Sequence, residues 1–378
     1  MIDNRISFKL FTFCAVIALG LTISCNTVDN NDQPTNNNND LGIDGSEWLI
    51  PKDEIIDGGP GQDGIPSIDD PKFINAFEAN FIDTDRLVLG IKIGNEVRLY
   101  PHQIMDWHEI VNDQIDDRHF ALTYCPLTGT GITYEREVDS RVNEFGVSGL
   151  LFRNNLIMYD RNTGSRWSQM QMRSVNGPLS GEKGEIIQTI QTDWKTWKKL
   201  YSDARVLSTE TGFNRNYNSF AYGSSYATNN DFFIFQPNRI DDRLPNKAQV
   251  HGIMPTSFEG EATIPRIYAI EDLSAEVEII QEKYDNREIV FAGSSELRFG
   301  VSFSRNVGQS TPLDFSAVQD ELPVIMEDSE GNKWTIFGEA VSGPRQGERL
   351  TPTKSFNGYW FAFADFYPES CIYPNTDC

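Results

Sequence analysis

Basic residues are in short supply in this chain. Only 32 Lys and Arg stand against 55 Asp and Glu, for a formal net charge of −23. Such a surface repels phosphate backbones and anionic headgroups, which sets nucleic acid aside as a partner. Cysteine pairs at zinc-binding spacing are missing, and so is a glycine loop able to cradle phosphate; the Gly129-x-Gly131 element is too short to make one. Histidine is scarce, with four in 378 residues. Beyond residue 24 no apolar run reaches the roughly 20 residues that a membrane-spanning helix needs. Hydrophobic residues make up 39% of the chain and aromatic residues 12%, enough for a substantial core.

The N-terminus has three parts. Arg5 and Lys9 supply positive charge, Leu10 to Ile23 is almost wholly apolar, and Ser24-Cys25 follows. This pattern predicts a signal peptide over 1–24, with Cys25 as the lipidated residue, although Thr22 stands where lipoprotein signals usually place Leu. Residues 26–47 are rich in Asn, Asp, Gly and Thr. They have too little to bury to offset the entropy of ordering, so 25–47 is expected to be a lipidated tether. An Asn/Asp-rich tether of this kind resembles those of surface-exposed lipoproteins of the Bacteroidota group. The expected location is therefore outside the cytoplasm, lipid-anchored to the outer membrane at its periplasmic face or the cell surface, or to the inner membrane.

Cysteine usage fits an oxidising compartment. Cys14 would leave with the signal, and Cys371 and Cys378 can close a small C-terminal disulfide loop. Cys125 is then left without a partner.

Self-comparison reveals an internal repeat. Glu109 to Arg136 aligns without a gap on Glu278 to Arg305, at an offset of 169. Gly164-Ser165-Arg166-Trp167 matches Gly331-Asn332-Lys333-Trp334, Trp194 matches Trp360, and Val88-Leu89-Gly90-Ile91 resembles Val250-His251-Gly252-Ile253. The pattern predicts an α+β, β-dominated fold of two tandem homologous units, each of largely antiparallel strands with short helices. The first unit spans 48–212 and carries the candidate site. A loop-rich connector spans 213–246, and 247–378 is a second unit, degenerate at the site. Strands are expected over 87–93 and 96–100 around Gly94-Asn95, over 119–124 and 131–135, and over 156–160 and 166–169. Pro101 is expected to open a helix, and Thr192 to Tyr201 to form another.

Differences between the copies mark the candidate chemistry. Cys125 faces Ser294, His108 faces Val277, and Gln169 faces Ile336. An imidazolium at a helix end, favoured by the helix dipole, would depress the Cys125 thiol and generate thiolate. Neutral His108 with a Cys125 thiolate would instead hold a copper or zinc ion, with Met105, Met158 and Met170 as further soft ligands. Three functions stay open: a metal-binding or thiol-redox protein; a hydrolase or transferase with Cys125 as nucleophile, His108 as base and Asn112 or Gln169 as third member; and a non-catalytic module that stacks a glycan or a partner on Tyr217, Tyr222 or Tyr226. His102, Asp106, Glu109 and His119 are expected at the solvated surface.

Trp107-His108-Glu109-Ile110-Val111-Asn112-Asp113, Tyr124-Cys125-Pro126-Leu127-Thr128-Gly129-Thr130-Gly131, Phe145-Gly146-Val147-Ser148-Gly149-Leu150-Leu151 and Trp167-Ser168-Gln169-Met170 resemble the family called domain of unknown function 3179. The resemblance implies exported, often lipid-anchored proteins without an assigned reaction. Some relatives carry a second Cys where this chain has Thr128, so a two-cysteine redox cycle within this motif is not expected. Thr128 joins Cys125, His108 and Gln169 as a candidate site residue.

Overall fold

Antiparallel strands joined by tight turns dominate the computed structural model, which describes residues 47–375 apart from 224, 258–262 and 309–310. The expected signal peptide, the lipidation site Cys25 and the tether to residue 46 lie outside the described residues. Cys371 is buried and disulfide-bonded. Its expected partner Cys378 also lies outside the described residues.

Local pattern became local structure wherever alternation and turn chemistry agreed. Leu87–Ile93 and Glu96–Pro101 form a hairpin around Gly94, whose φ of +55° suits glycine at such a turn. They lie in a five-stranded sheet between Ile190–Asp193 on one side and Arg205–Leu207 then Phe73–Asn75 on the other. Within it, only Arg205–Leu207 against Glu96–Pro101 runs parallel. A second five-stranded sheet runs Ile55–Asp57, Phe145–Phe152, Asn155–Asp160, Arg166–Ser168 and Arg173–Asn176, antiparallel throughout.

The aligned segments of the two halves share strand register. Cys125 pairs with Thr130 and Phe120 with Glu135; at the same offset of 169, Ser294 pairs with Phe299 and Ile289 with Ser304. Ile110 opposite Thr123 is matched by Ile279 opposite Ala292. The halves nevertheless share a sheet. Asn357 of Ser355–Tyr359 pairs with Gly131 of Thr130–Glu135, and this joins Ile110–Ile115, Arg118–Cys125 and Thr130–Glu135 to Gln249–Ile253 and Arg266–Ala269 in one eight-stranded sheet. The largest core cluster likewise mixes Cys125, Phe145 and Trp167 with Val250, Phe356 and Trp360.

There are three α-helices among the described residues, each seven residues long: α1 (His102–His108), α2 (Trp194–Leu200) and α3 (Trp360–Phe366). Pro101 is the last residue of its strand and sits just before α1. Asp193 caps α2 by accepting a hydrogen bond from the Thr196 amide. Two glycines let helices lie close on strands. A Cβ on Gly90 would fall 2.3 Å from the Trp197 ring of α2, and one on Gly252 would fall 2.2 Å from the Phe363 ring of α3. Gly90 and Gly252 thus play the same part, each letting an aromatic ring of a helix lie against its strand.

Overpacking of this kind costs about 1–3 kcal/mol, because a buried indole has nowhere to move. Gly90→Ala is expected to lower the unfolding free energy by that amount, seen as a lower urea midpoint with the m-value unchanged. A variant as stable as the parent would show that the Trp197 contact is loose.

Candidate functional site

Helix α1 ends at Glu109, a non-glycine residue with φ +57°. That conformation costs on the order of 1–3 kcal/mol and persists only where the surroundings enforce it. Here two backbone bonds do so. The Glu109 amide donates to the Met105 carbonyl at 2.8 Å, and the Glu109 carbonyl accepts from the Tyr124 amide at 2.7 Å. The turn leaves Glu109 beside the end of the strand Arg118–Cys125, and its charge is felt at the Cys125 sulfur.

Cys125 begins the turn Pro126 to Gly129. The Thr128 amide closes it by donating a hydrogen bond to the Cys125 carbonyl at 3.3 Å. Gly129 has φ +63°, and a Cβ there would touch the Tyr359 ring at 3.0 Å. A buried polar network holds the turn from below. The Thr128 and Thr130 hydroxyls are 2.9 Å apart, and Asn155 Nδ2 donates to both at 3.0 Å. Gln169 Oε1 accepts from Thr130 Oγ1 and from Asn155 Nδ2, each at 2.7 Å, while Gln169 Nε2 donates to Thr123 Oγ1 at 2.8 Å. Gln169 and Thr128 thus sit by Cys125 as members of a satisfied network that fixes the turn. Asn155 completes it, and no feature of the sequence pointed to it.

His108 lies elsewhere in this arrangement. Its Nδ1 donates to the Pro66 carbonyl at 2.8 Å, which leaves Nε2 to accept from the Tyr217 hydroxyl at 2.7 Å. Both nitrogens are occupied and no hydrogen bond joins the ring to Cys125. Burial lowers the His108 pKa. The protonated form expected from the helix dipole is therefore disfavoured, because desolvation outweighs a helix-end effect in a seven-residue helix. Burial, then the Glu109 charge, push the Cys125 thiol up to about 11, so it stays protonated at neutral pH. Among the described residues no group of three or more His, Cys, Asp or Glu could hold a metal ion. These residues do not fit a bound copper or zinc ion. Met105, Met158 and Met170 are fully buried members of the hydrophobic core.

Three residues expected at the surface are buried. His102 is 8% exposed, Asp106 3% and Glu109 4%; the Tyr124 ring packs on His102, and Tyr222 of the connector bonds Glu109. Burial pushes Glu109 up to about 7, against a stabilising hydrogen bond from the Tyr222 hydroxyl at 3.0 Å. Burial also holds Asp106 well above the usual carboxylate range, Arg86 opposing and Glu109 adding to the effect. Asp106 Oδ1 has no hydrogen-bond partner. His119 is half-buried, closer to expectation.

The connector is a strap over this site. Tyr217 binds His108, Tyr222 binds Glu109, and Tyr226 donates to the Leu127 carbonyl at 2.8 Å. Trp107 Nε1 donates to the Ser219 carbonyl at 3.1 Å. The strap is fixed further by Lys247, whose ammonium has no hydrogen-bond partner. It faces the rings of Tyr226 at 3.6 Å, Phe361 at 4.7 Å, Phe233 at 4.9 Å and Tyr359 at 5.2 Å. Burial brings Lys247 down to about 7. Beneath the strap is a cavity of about 350 Å³ lined by Asp106, Trp107, Glu109, Leu127, Leu156 and Tyr222, among others.

A family model described as "Protein of unknown function (DUF3179)" matches residues 62–370. No curated protein and no solved structure matches the chain.

Two outcomes follow from these environments. Iodoacetamide at pH 7.5 should leave Cys125 unmodified in the folded protein and alkylate it once urea unfolds the chain; fast alkylation of the native form would show an activated thiol. Glu109 titrates near 4.5 in the unfolded chain and near 7 when folded. Its proton-linked stability is therefore whole below pH 4.5 and is lost as pH rises through 7, by about 3 kcal/mol. Glu109→Gln should match the parent near pH 4.5 and be the more stable of the two at pH 8, read from urea midpoints. Identical pH profiles would place the carboxyl in solvent.

Proposed function

The chain belongs to the DUF3179 family, and on the geometry of this site we propose that it is an exported, lipid-anchored protein whose strapped cavity binds a small molecule and handles a proton at Glu109. The observation that carries this reading is Glu109 itself. It is a carboxyl held in left-handed backbone geometry, lining a cavity, and brought by burial close to neutral pH. Buried acids tuned to the working pH are what general acid–base chemistry requires, and they cluster at ligand sites. The cavity lies in the usual range of ligand sites, about 300–1,000 Å³, with apolar walls and few polar groups. Cys125 lies next to Glu109 as a neutral thiol, so a nucleophilic role would need Glu109 to take its proton first. Copper or zinc bound through Cys125 and His108 gains no support from this geometry.

Export and anchoring rest on the apolar stretch before Cys25 and the polar segment after it. Labelled palmitate should be incorporated in a bacterial host and lost in Cys25→Ala. Label that persists in the variant would remove Cys25 as the anchor.

Thermal-shift measurement on the full chain, with a set of small neutral, acidic and basic compounds at pH 5.5 and 8, tests the site. Compounds that raise Tm should lose their effect in Leu127→Trp, which fills the cavity, and should change pH dependence in Glu109→Gln. If no compound responds to either substitution, the cavity is not a ligand site.

A further inference from the structure

Two buried carboxyls line the cavity, and among the described residues neither is joined to a cation by an ion pair. Asp106, in the last turn of α1, and Glu109, the residue that ends it, both line the cavity. Each is more than nine-tenths buried, and Asp106 Oδ1 faces no donor. Other groups whose charge or hydroxyl bears on the pair are Tyr222 of the strap, Cys125 and Tyr124 of the strand end, Tyr359 of the second half, and Arg86. The tyrosines and the thiol are neutral, and Arg86 is well exposed and paired with Asp83 at 3.7 Å. Two further cations come near without compensating the acids. Arg215 lines the cavity but lies over the outer Trp107 ring at 5.9 Å, and its charge is felt at His108 and Tyr217. Lys247 is turned into its cage of rings.

Resting on the reading of this cavity as a ligand site, we propose that it takes a small primary or secondary amine with an apolar body, bound as the ammonium ion against Asp106 and Glu109. Ionising either buried acid alone is unfavourable, whereas an arriving cation supplies the missing charge inside the low-dielectric site. Trp107 and Tyr222 give the ammonium aromatic neighbours, which favours a cation over a neutral isostere. The net charge of −23 draws cations toward the molecule and repels carboxylates. Because Glu109 is protonated near pH 6, binding of the ammonium ion there releases a proton to solvent, and near pH 8 the release falls away.

Isothermal titration of the full chain with benzylamine and cyclohexylamine, against benzyl alcohol, cyclohexanol and hexanoate, tests this directly. The amines should bind at least ten-fold more tightly than the alcohols, and hexanoate should not bind. At pH 6, repeating the titration in buffers of different ionisation enthalpy should show about one proton released per amine. Glu109→Gln and Asp106→Asn, both isosteric, should each weaken amine binding at least ten-fold, and Glu109→Gln should change the number of protons released and its dependence on pH. Alcohols that bind as tightly as amines, with affinity still dependent on Glu109, would overturn the amine proposal while the ligand site stands. Absence of binding by every probe, with no Glu109-dependent thermal shift, would overturn both.

Discussion

The hydrogen bond from the Tyr124 amide to the Glu109 carbonyl ties the end of α1 to the end of the strand that carries Cys125. It requires Glu109 to leave the helix in a left-handed turn, and that turn sets the rest of the site. The carboxyl is placed against the thiol, Asp106 and Trp107 are aimed into the same cavity, and the imidazole of His108 is carried to the other side, toward Pro66 and Tyr217. A helix ending in the common way, with glycine past its last turn, would need no such enforcement. The strain at Glu109 is held from two directions, by the strand through the Tyr124 amide and by the strap through the Tyr222 hydroxyl.

Comparison of the two copies picked out polar positions, and the structure shows what surrounds each of them. Gln169 and Ile336 occupy corresponding places, and each is fully buried. The first half must then satisfy an amide, which it does with Thr123, Thr130 and Asn155. The second half packs an aliphatic chain instead. The difference is real, yet its consequence is a fixed turn. Glu109 is the opposite case. Its counterpart Glu278 kept the letter, and Glu109 was expected at the solvated surface. Glu278 is only half-buried and accepts from the Ser274 amide at 3.0 Å, whereas Glu109 is enclosed and accepts from Tyr222. Identity between copies preserves a residue type, and burial is what decides its pKa.

What could be read from sequence was local. The Gly94 hairpin, the start of α1 after Pro101, the Cys125 turn and α2 follow from alternation, proline, glycine and an acidic cap, all within a few residues. The shared register of the two meanders was legible for the same reason, since an ungapped match fixes both strands and turn. Contacts across long separations were not. Nothing within either repeat signals that Asn357 pairs with Gly131, or that a Tyr/Asn-rich connector without regular structure lays three tyrosines on the first half. The strap encloses Asp106 and Glu109, so the error about their exposure and the silence about the strap share one origin.

Charge placement under the strap shows why the acids stay unmatched. Lys247 is close in space to Tyr226 and Tyr359, and both of these rings also border Cys125. An ion pair between this lysine and Glu109 would neutralise two buried charges, and buried pairs are tolerable when their geometry is good. The fold instead gives the ammonium four aromatic faces, which attract it through their quadrupoles and demand no carboxylate. Burial lowers the lysine to about 7 and raises Glu109 to about 7, so each group can shed its charge at little cost near neutral pH. Keeping them apart leaves Asp106 Oδ1 as a buried polar atom of the cavity wall still short of a partner, and a group in that state is available to whatever enters.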